Sequence, residues 1–492
     1  MCIEQLETSA PVEQAPSGEG QVPDVTGAQP VSTPTEVPAA PVAVAAVPVT
    51  PVAPPEGEVA RPKTEPVGPP PPFPAEALIN DLQKQSLGSL QALAQELGWR
   101  ANGSRTKHQL VAELLSWMGQ HGTKILFEGF LEITQENFGL VRYPKYNFTP
   151  LPEDIFVPIF VIRKFQLRPG QFIKGCVKVP REKEKYLAVD RITEIEGKPT
   201  EEWQTPEFFD KLTATFPSQR IILEVPNQPS LSSRVVDLVA PLGKGQRALI
   251  VASPRSGKTM LLKDIAKSIK SNHKEIYLIV LLLDERPEEV TDFEDSVDAE
   301  IFSSTFDESP KRHSQVAELV LERAKRLVEL GQEVVILLDS ITRLSRGYNA
   351  MTGGKGRIMS GGVDSKALIK PKKFFSAARK VEEGGSLTIV ATALVDTESK
   401  MDDLIFEEFK GTGNMEISLD REIAERRIYP AIHVLKSGTR RDELLYHPDE
   451  FRRVGAIRKQ LAQVPAAEGL ERLIRNIQRS GSNAELLLTG LK

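Results

Sequence analysis

One run of residues has the composition needed to hold a polyphosphate: Ala252-Ser253-Pro254-Arg255-Ser256-Gly257-Lys258-Thr259. It follows the apolar Ala248-Leu249-Ile250-Val251 and precedes the amphipathic Met260-Leu261-Leu262-Lys263-Asp264-Ile265-Ala266. That order predicts a strand, a tight loop and a helix. Such a loop aims backbone N–H groups at a phosphate chain, with the positive end of the helix dipole behind them. Lys258 suits the β and γ phosphates of a nucleoside triphosphate, and the Thr259 hydroxyl suits Mg²⁺. The motif departs from G-x4-G-K-[ST] at its first position, where Ala252 stands. Alanine excludes the φ > 0 conformations that glycine allows.

Two acids complete a hydrolytic set. The apolar run Val334-Val335-Ile336-Leu337-Leu338 ends in Asp339, the place for a carboxylate that holds Mg²⁺ directly or through water. A second run ends in Leu283-Asp284-Glu285-Arg286, which makes Glu285 the candidate for polarising an attacking water. In a parallel sheet these strand ends meet at one edge.

Glycine-rich loops follow. Gly347–Gly362 carries Lys355 and Arg357, Asp396–Met401 carries Lys400, and Phe409–Asn414 lies beyond. Flexible loops with a few cations suit a passing phosphodiester backbone. Earlier in the chain, Phe138, Leu140 and Arg142 alternate onto one strand face, so that face is not purely core. Phe138, Phe156 and Tyr186 offer rings for unpaired bases, and Arg142 suits phosphate or base. Asp154 and Glu184 can accept hydrogen bonds from base amino groups.

The elements that must position these groups are legible as periodicities. Residues 1–76 form a Pro- and Ala-rich acidic tail, read as disordered: it holds 18 of the 37 prolines, and its first 75 residues carry −7 of the net −5, leaving +2 elsewhere. The tail reads as a solvated spacer. Residues 77–122 read as a small helical unit, with Leu90, Leu93, Ala94 and Leu97 on one face and a capping box at Thr106-Lys107-His108-Gln109. Residues 123–197 hold five strand-like runs, Ile125–Ile133, Phe138–Tyr143, Ile155–Val157, Gln171–Val179 and Tyr186–Ile195, the spacing of an oligonucleotide-binding, cold-shock-like barrel. Residues 198–232 read as a linker. From 233 to 492 strands and helices alternate, predicting a mostly parallel sheet covered on both faces in a RecA-like α/β ATPase domain. Further strands are expected at Glu416–Leu419 and Ile428–Val434, and basic helices over 449–481. Two cysteines exclude a disulfide framework, which suits a cytoplasmic protein, and no run of about 18 apolar residues predicts a membrane span.

Taken together, the stretches Leu283–Thr291, Leu338–Leu344, Ser360–Asp364, Glu408–Met415 and Ser437–Arg440 resemble the bacterial Rho family of transcription terminators, over about residues 79–485. The resemblance implies a homohexameric, RNA-dependent ATPase that moves 5′→3′ on single-stranded RNA and dislodges RNA polymerase, with no membrane role. The family also carries alanine at the position of Ala252. The resemblance implies a nucleotide site at Ser253–Met260 and Arg286, and assigns the catalytic glutamate to Glu285 and the Mg²⁺-side aspartate to Asp339. Arg440 matches the arginine finger that acts on the neighbouring subunit's ATP, and Arg427 a second interfacial arginine. Arg357 and Lys400 match the two central-pore loops, Arg357 standing where the family has lysine. The primary RNA site maps to Phe138, Arg142, Asp154, Phe156, Glu184 and Tyr186, with a pyrimidine preference. Leu140 and Phe156 replace an aromatic and a tyrosine there. A base stack is worth ~1–3 kcal/mol, so a weaker or looser site is expected. The rival readings are a rotary ATPase-like subunit and a non-catalytic RNA-binding protein with a degenerate nucleotide site.

Overall fold

A computed structural model describes residues 73–99, 105–178, 187–226, 230–353, 356 and 358–491. The tail through residue 72, and the expected site residues Glu184, Tyr186 and Arg357, lie outside them.

Chain order begins with a short strand, Glu76–Leu78, that pairs in parallel with Lys124–Leu126, so the ordered fold starts at the last residues assigned to the tail. Helices α1 (Ile79–Lys84), α2 (Leu87–Glu96) and α3 (Lys107–Gln120) follow. The capping box forms as expected: Thr106 Oγ1 accepts from Gln109 N and Gln109 Oε1 from Thr106 N. Gly98 ends the α2 segment at φ 71°, where only glycine is unstrained.

Five strands then close into a barrel, with α4 (Ile159–Phe165) between the third and fourth: β1 (Lys124–Ile133), β2 (Gly139–Arg142), β3 (Ile155–Val157), β4 (Phe172–Lys178) and β5 (Ala188–Ile195). The order β1-β2-β3-β5-β4 returns to β1 through the β1–β4 pairing. All five expected strands are present. The helices are not a separate unit, because Leu110, Leu114 and Met118 share one core with Phe127, Val141 and Ile173 of the barrel. Glu153, fully buried, ties them further by accepting from Gln83 Nε2 at 3.0 Å and pairing with His108 Nδ1 at 2.6 Å.

The segment read as a linker is packed into the next domain. Phe209 and Ile221 are buried in its two cores, Ala214–Thr215 pairs at the sheet margin, and Arg220–Ile221 pairs with Leu242–Gly243. Helix α5 (Leu231–Val239) follows. The large sheet then comprises β6 (Arg247–Ala252), β7 (Ile276–Glu285), β8 (Glu300–Thr305), β9 (Glu333–Asp339), β10 (Ser386–Leu394), β11 (Met415–Leu419) and β12 (Gly438–Thr439). Its order is β8-β7-β9-β10-β6-β11-β12, parallel except for β12. Strand side chains alternate between faces. Ala248, Ile250 and Ala252 point into one core, against α6 (Lys258–Asn272) and α7 (Pro287–Ser296), while Leu249 and Val251 point into the other. That second core is roofed by α8 (Pro310–Glu329), α9 (Ile341–Thr352) and α10 (Lys400–Lys410). Both faces are dry, which is why these strands read as continuous apolar runs.

Ile428–Val434 is not a strand. It makes one isolated bridge, Leu419 to Ile432, because Pro430 has no N–H and Ile432 N turns back to Pro430 O. The basic C-terminal segment is helical as expected, over Pro448–Leu461 and Ala466–Arg479.

The barrel docks on α8. Arg312 donates to Phe148 O at 3.1 Å and to Thr149 Oγ1 at 2.8 Å, Phe148 stacks on Phe302 at 4.6 Å, and Glu196 pairs with Arg323 at 2.7 Å.

Candidate nucleotide and RNA sites

Ala252 is the last residue of β6, buried and paired to Leu394 and Leu419. Its backbone is extended, so the first glycine of the motif is not needed there. The left-handed positions fall later, at Arg255 (φ 65°) and Gly257 (φ 91°). Gly257 caps α6 without a side-chain hydrogen bond, which leaves the first N–H groups of the helix free to face an anion. Ser253 and Ser256 are buried, and the Ser253 hydroxyl has no partner. Pro254 and Arg255 are exposed beside them.

Lys258 Nζ stands 2.5 Å from Asp339 Oδ1 and 3.9 Å from Glu285 Oε2, so the loop lysine and both acids converge at one sheet edge. Thr392 Oγ1 donates to Asp339 at 2.8 Å and fixes it. A bulge at Asp284 (φ 55°) shifts the β7 register, and this sets where the Glu285 carboxylate lands. Glu285 is buried, and Arg343 Nη1 lies 3.4 Å from its Oε1 while its Oε2 accepts nothing. Burial and then Asp339 push the Glu285 carboxyl above its ordinary range, against the pull of Lys258 and Arg343. Thr259 and Asp339 fit Mg²⁺, which takes one or two protein oxygens and completes its shell from phosphates and water. The orphaned Ser253 and Glu285 oxygens mark the same place as built for a polar ligand.

Beside the loop, Met260, Leu419, Tyr429 and Pro430 line an apolar cleft of 420 Å³. Tyr429 also borders a neighbouring 580 Å³ cleft lined by Arg255, Asp396, Arg421 and Arg427. The first presents an apolar wall, whereas the second sets its three arginines beside Asp396, Glu398 and Glu425. Sequence reasoning missed Tyr429; its signal was an aromatic-proline pair beside β11. Arg286 is exposed at the start of α7.

The two arginines matched to one interface lie at opposite edges of the sheet. Arg427 lines the cleft beside its own phosphate loop. Arg440 follows Thr439, which pairs with Met415, itself opposite Ala248 at the start of β6. Four residues of strand, ~13 Å, separate that edge from Ala252. Arg440 therefore cannot serve the phosphate loop of its own chain.

The turn that follows Arg357 in the chain lies against the Lys400 segment. The turn Ser360–Gly362 packs on α10, and a Cβ on Gly361 (φ 73°) would stand 2.6 Å from Lys400 O. Lys400 is exposed at the α10 N-terminus. Helix α9 links both loops to the acids, a connection that sequence reasoning missed. Arg343 reaches Glu285; Arg346 Nε donates to buried Asp402 at 2.8 Å; Asn349 Nδ2 donates to Gly362 O at 3.2 Å. These residues are three apart along one flank, spanning about 9 Å of helix.

On the barrel, Phe138, Leu140 and Phe156 are half-exposed, and the two rings lie 5.2 Å apart. Arg142 is buried between Asp154 and Glu132, the latter at 2.5 Å. Asp154 Oδ1 has no donor, and burial pushes this carboxyl up to about 7 in spite of Arg142.

Comparisons with known proteins match the two domains that carry these residues. The family described as Rho termination factor, RNA-binding domain, matches residues 127–201, and that described as ATP synthase alpha/beta family, nucleotide-binding domain, matches residues 232–439. The transcription termination factor Rho of Akkermansia muciniphila is 55% identical over 84% of this chain and 87% of its own length. Those of Cereibacter sphaeroides and Aquifex aeolicus are 48% and 49% identical over 83% of this chain, and over 97% and 94% of their own. Such identity across barrel and ATPase domain together favours neither rival reading: the chain belongs to the transcription termination factor Rho family.

Proposed function

We propose that this chain is an RNA-dependent ATPase that assembles as a homohexameric ring in the cytoplasm, translocates on single-stranded RNA and releases the transcript from RNA polymerase. The observation that carries the reading is α9, whose flank joins the Glu285–Lys258–Asp339 cluster to both candidate RNA loops.

In this mechanism the loop N–H groups and Lys258 hold the phosphates of ATP, Met260 and Tyr429 hold the base, and Thr259 and Asp339 hold Mg²⁺. The metal, when bound, neutralises charge on the phosphate oxygens. Glu285 orients water for in-line attack and takes up its proton; its raised pKa suits that task. Arg440 of one subunit reaches the ATP of the next, and Arg427 acts on the ATP of its own chain. An arginine in this role stabilises transition-state charge and is worth ~10³–10⁵ in rate. When Glu285 changes partners, Arg343 moves with it, and α9 passes the shift through Arg346 and Asn349 to Lys400 and the 347–362 loop, which includes Arg357. Phe138 and Phe156 stack bases of the incoming strand, and Arg142 and Asp154 read their edges, joined by Glu184 and Tyr186.

The test is transcript release. Stalled elongation complexes incubated with the chain and ATP should free their RNA, and Glu285→Gln should bind nucleotide yet free none. Release by Glu285→Gln at the wild-type rate would contradict the assignment.

A further inference from the structure

Strand β8 is an edge of the large sheet, so alternate N–H groups along it face away from β7. The barrel supplies a partner for one of them. Asn147 Oδ1 accepts from Ser303 N at 2.9 Å, and Asn147 Nδ2 donates to Ser303 Oγ at 3.1 Å. A side-chain amide offers that acceptor and that donor from one planar group. Asn147 (φ 49°) and Phe148 (φ 60°) are both left-handed, a conformation that asparagine tolerates and phenylalanine does not. Arg312 holds both carbonyls of this pair, and Phe148 stacks on Phe302, the residue before Ser303. The barrel turn is thus kept against β8 in a strained backbone.

The next two residues of β8 lead to the hydrolytic acid. Ser304 Oγ donates to Glu308 Oε2, so it accepts from His313 Nδ1–H at 2.8 Å. Ser304 and His313 are both buried. Burial keeps the His313 ring below its ordinary range, with Asp284 the strongest opposing charge. Asp284 is the bulged residue of β7. Leu283 lies opposite Ser304 and Glu285 opposite Thr305, and Phe306 N donates to Glu285 O at 3.2 Å. Ser303, Ser304 and Thr305 therefore engage the barrel, α8 and the Glu285 segment in turn.

A bulge disrupts the ladder locally, so the strand beside it decides where its side chains land. Here that strand is β8. Among the described residues β8 has no strand on its outer side, and it takes its own position there from Asn147 and His313. We infer that Asn147, a residue of the barrel, is a positioning residue for Glu285, acting through Ser303, Ser304 and His313. That role presupposes Glu285 as the general base, as proposed above. Barrel docking then places the base as well as joining the domains. A misplacement of about 1 Å costs up to ~10²-fold in rate.

Two measurements on the full-length chain test it: ATP turnover with saturating poly(C), and hydrogen–deuterium exchange across residues 283–289. Asn147→Gly removes the amide while easing the left-handed backbone. It should lose roughly tenfold or more in kcat. KM for ATP and affinity for poly(C) should stay at the wild-type values, and exchange across 283–289 should quicken. Thr149→Ala is the control. It removes an Arg312 docking contact of 2.8 Å rather than a β8 contact, and should leave both readouts as in wild type. Asn147→Asp still accepts from the Ser303 N–H and hydroxyl, and should recover both. Wild-type kcat or wild-type exchange in Asn147→Gly overturns the proposal. So does an equal loss in Thr149→Ala, which makes the effect one of docking strength, or a failure of Asn147→Asp to recover. Exchange is read without turnover, so the two readings fail separately: wild-type turnover by Glu285→Gln removes the base, and unchanged exchange in Asn147→Gly removes the link to the barrel.

Discussion

Glu285, the proposed general base, shows how environment sets a working pH. Its carboxyl is held above the ordinary value of 4.5 by burial and Asp339. The base must be ionised to act, so turnover should fall as pH drops through that raised value. Arg343 pulls it down, so Arg343→Gln should move the acid limb of the kcat/KM profile to still higher pH; an unmoved limb would separate Arg343 from Glu285. Asp154 makes a parallel case in the barrel. Its carboxyl titrates at about 7 and its Oδ1 lacks a donor. Cytosine brings an N4 amino group that only the ionised form accepts in full. Preference for poly(C) over poly(U) should therefore weaken between pH 8 and 6, and Asp154→Asn should flatten that dependence in filter-binding titrations. Lys258, Thr259, Glu285 and Asp339 were legible because strand-end chemistry follows from sequence order. Tyr429, Arg343, Arg346 and Asp402 were not, because their meaning comes from which elements pack together rather than from spacing.

In the proposed mechanism, helix α9 and the glycines around it carry the coupling. Gly361 has a left-handed backbone and no room for a Cβ beside Lys400 O. Gly361→Ala should displace the Lys400 loop and remove RNA stimulation while nucleotide affinity stays within twofold or so, as measured by a fluorescent ATP analogue; full stimulation would show that the loop contact is dispensable. The strands of the parallel sheet were readable as apolar runs because both faces are covered. The edge strand Glu300–Thr305 was not, since Ser303 and Ser304 break its apolar pattern. Ile428–Val434 misled for the opposite reason: its residues are apolar and buried, but Pro430 interrupts the ladder. Ala252 likewise looked like a defect in a loop until the extended strand backbone placed the positive-φ requirement at Gly257.

Barrel and ATPase domain are joined by buried polar contacts rather than by a free linker. Arg312, buried, holds two carbonyls and a hydroxyl of the barrel. Removing it leaves those acceptors unpaired, at a cost of roughly 3 kcal/mol. Arg312→Ala should split thermal unfolding into two calorimetric transitions; one unchanged transition would mean that the docking lies elsewhere. Residues 198–232 looked like a linker because their Pro- and Ser-rich composition hides short pairings that only the sheet margin completes. Domain order and fold class, by contrast, followed from the change of period at about 123 and again at about 233. The proposed function joins barrel, α9 and phosphate loop into one machine by making hydrolysis depend on RNA. Steady-state ATP turnover by the full-length chain with and without poly(C) measures it directly. Strong stimulation by poly(C), lost in Glu285→Gln, is the predicted result; equal turnover with and without RNA would contradict the account.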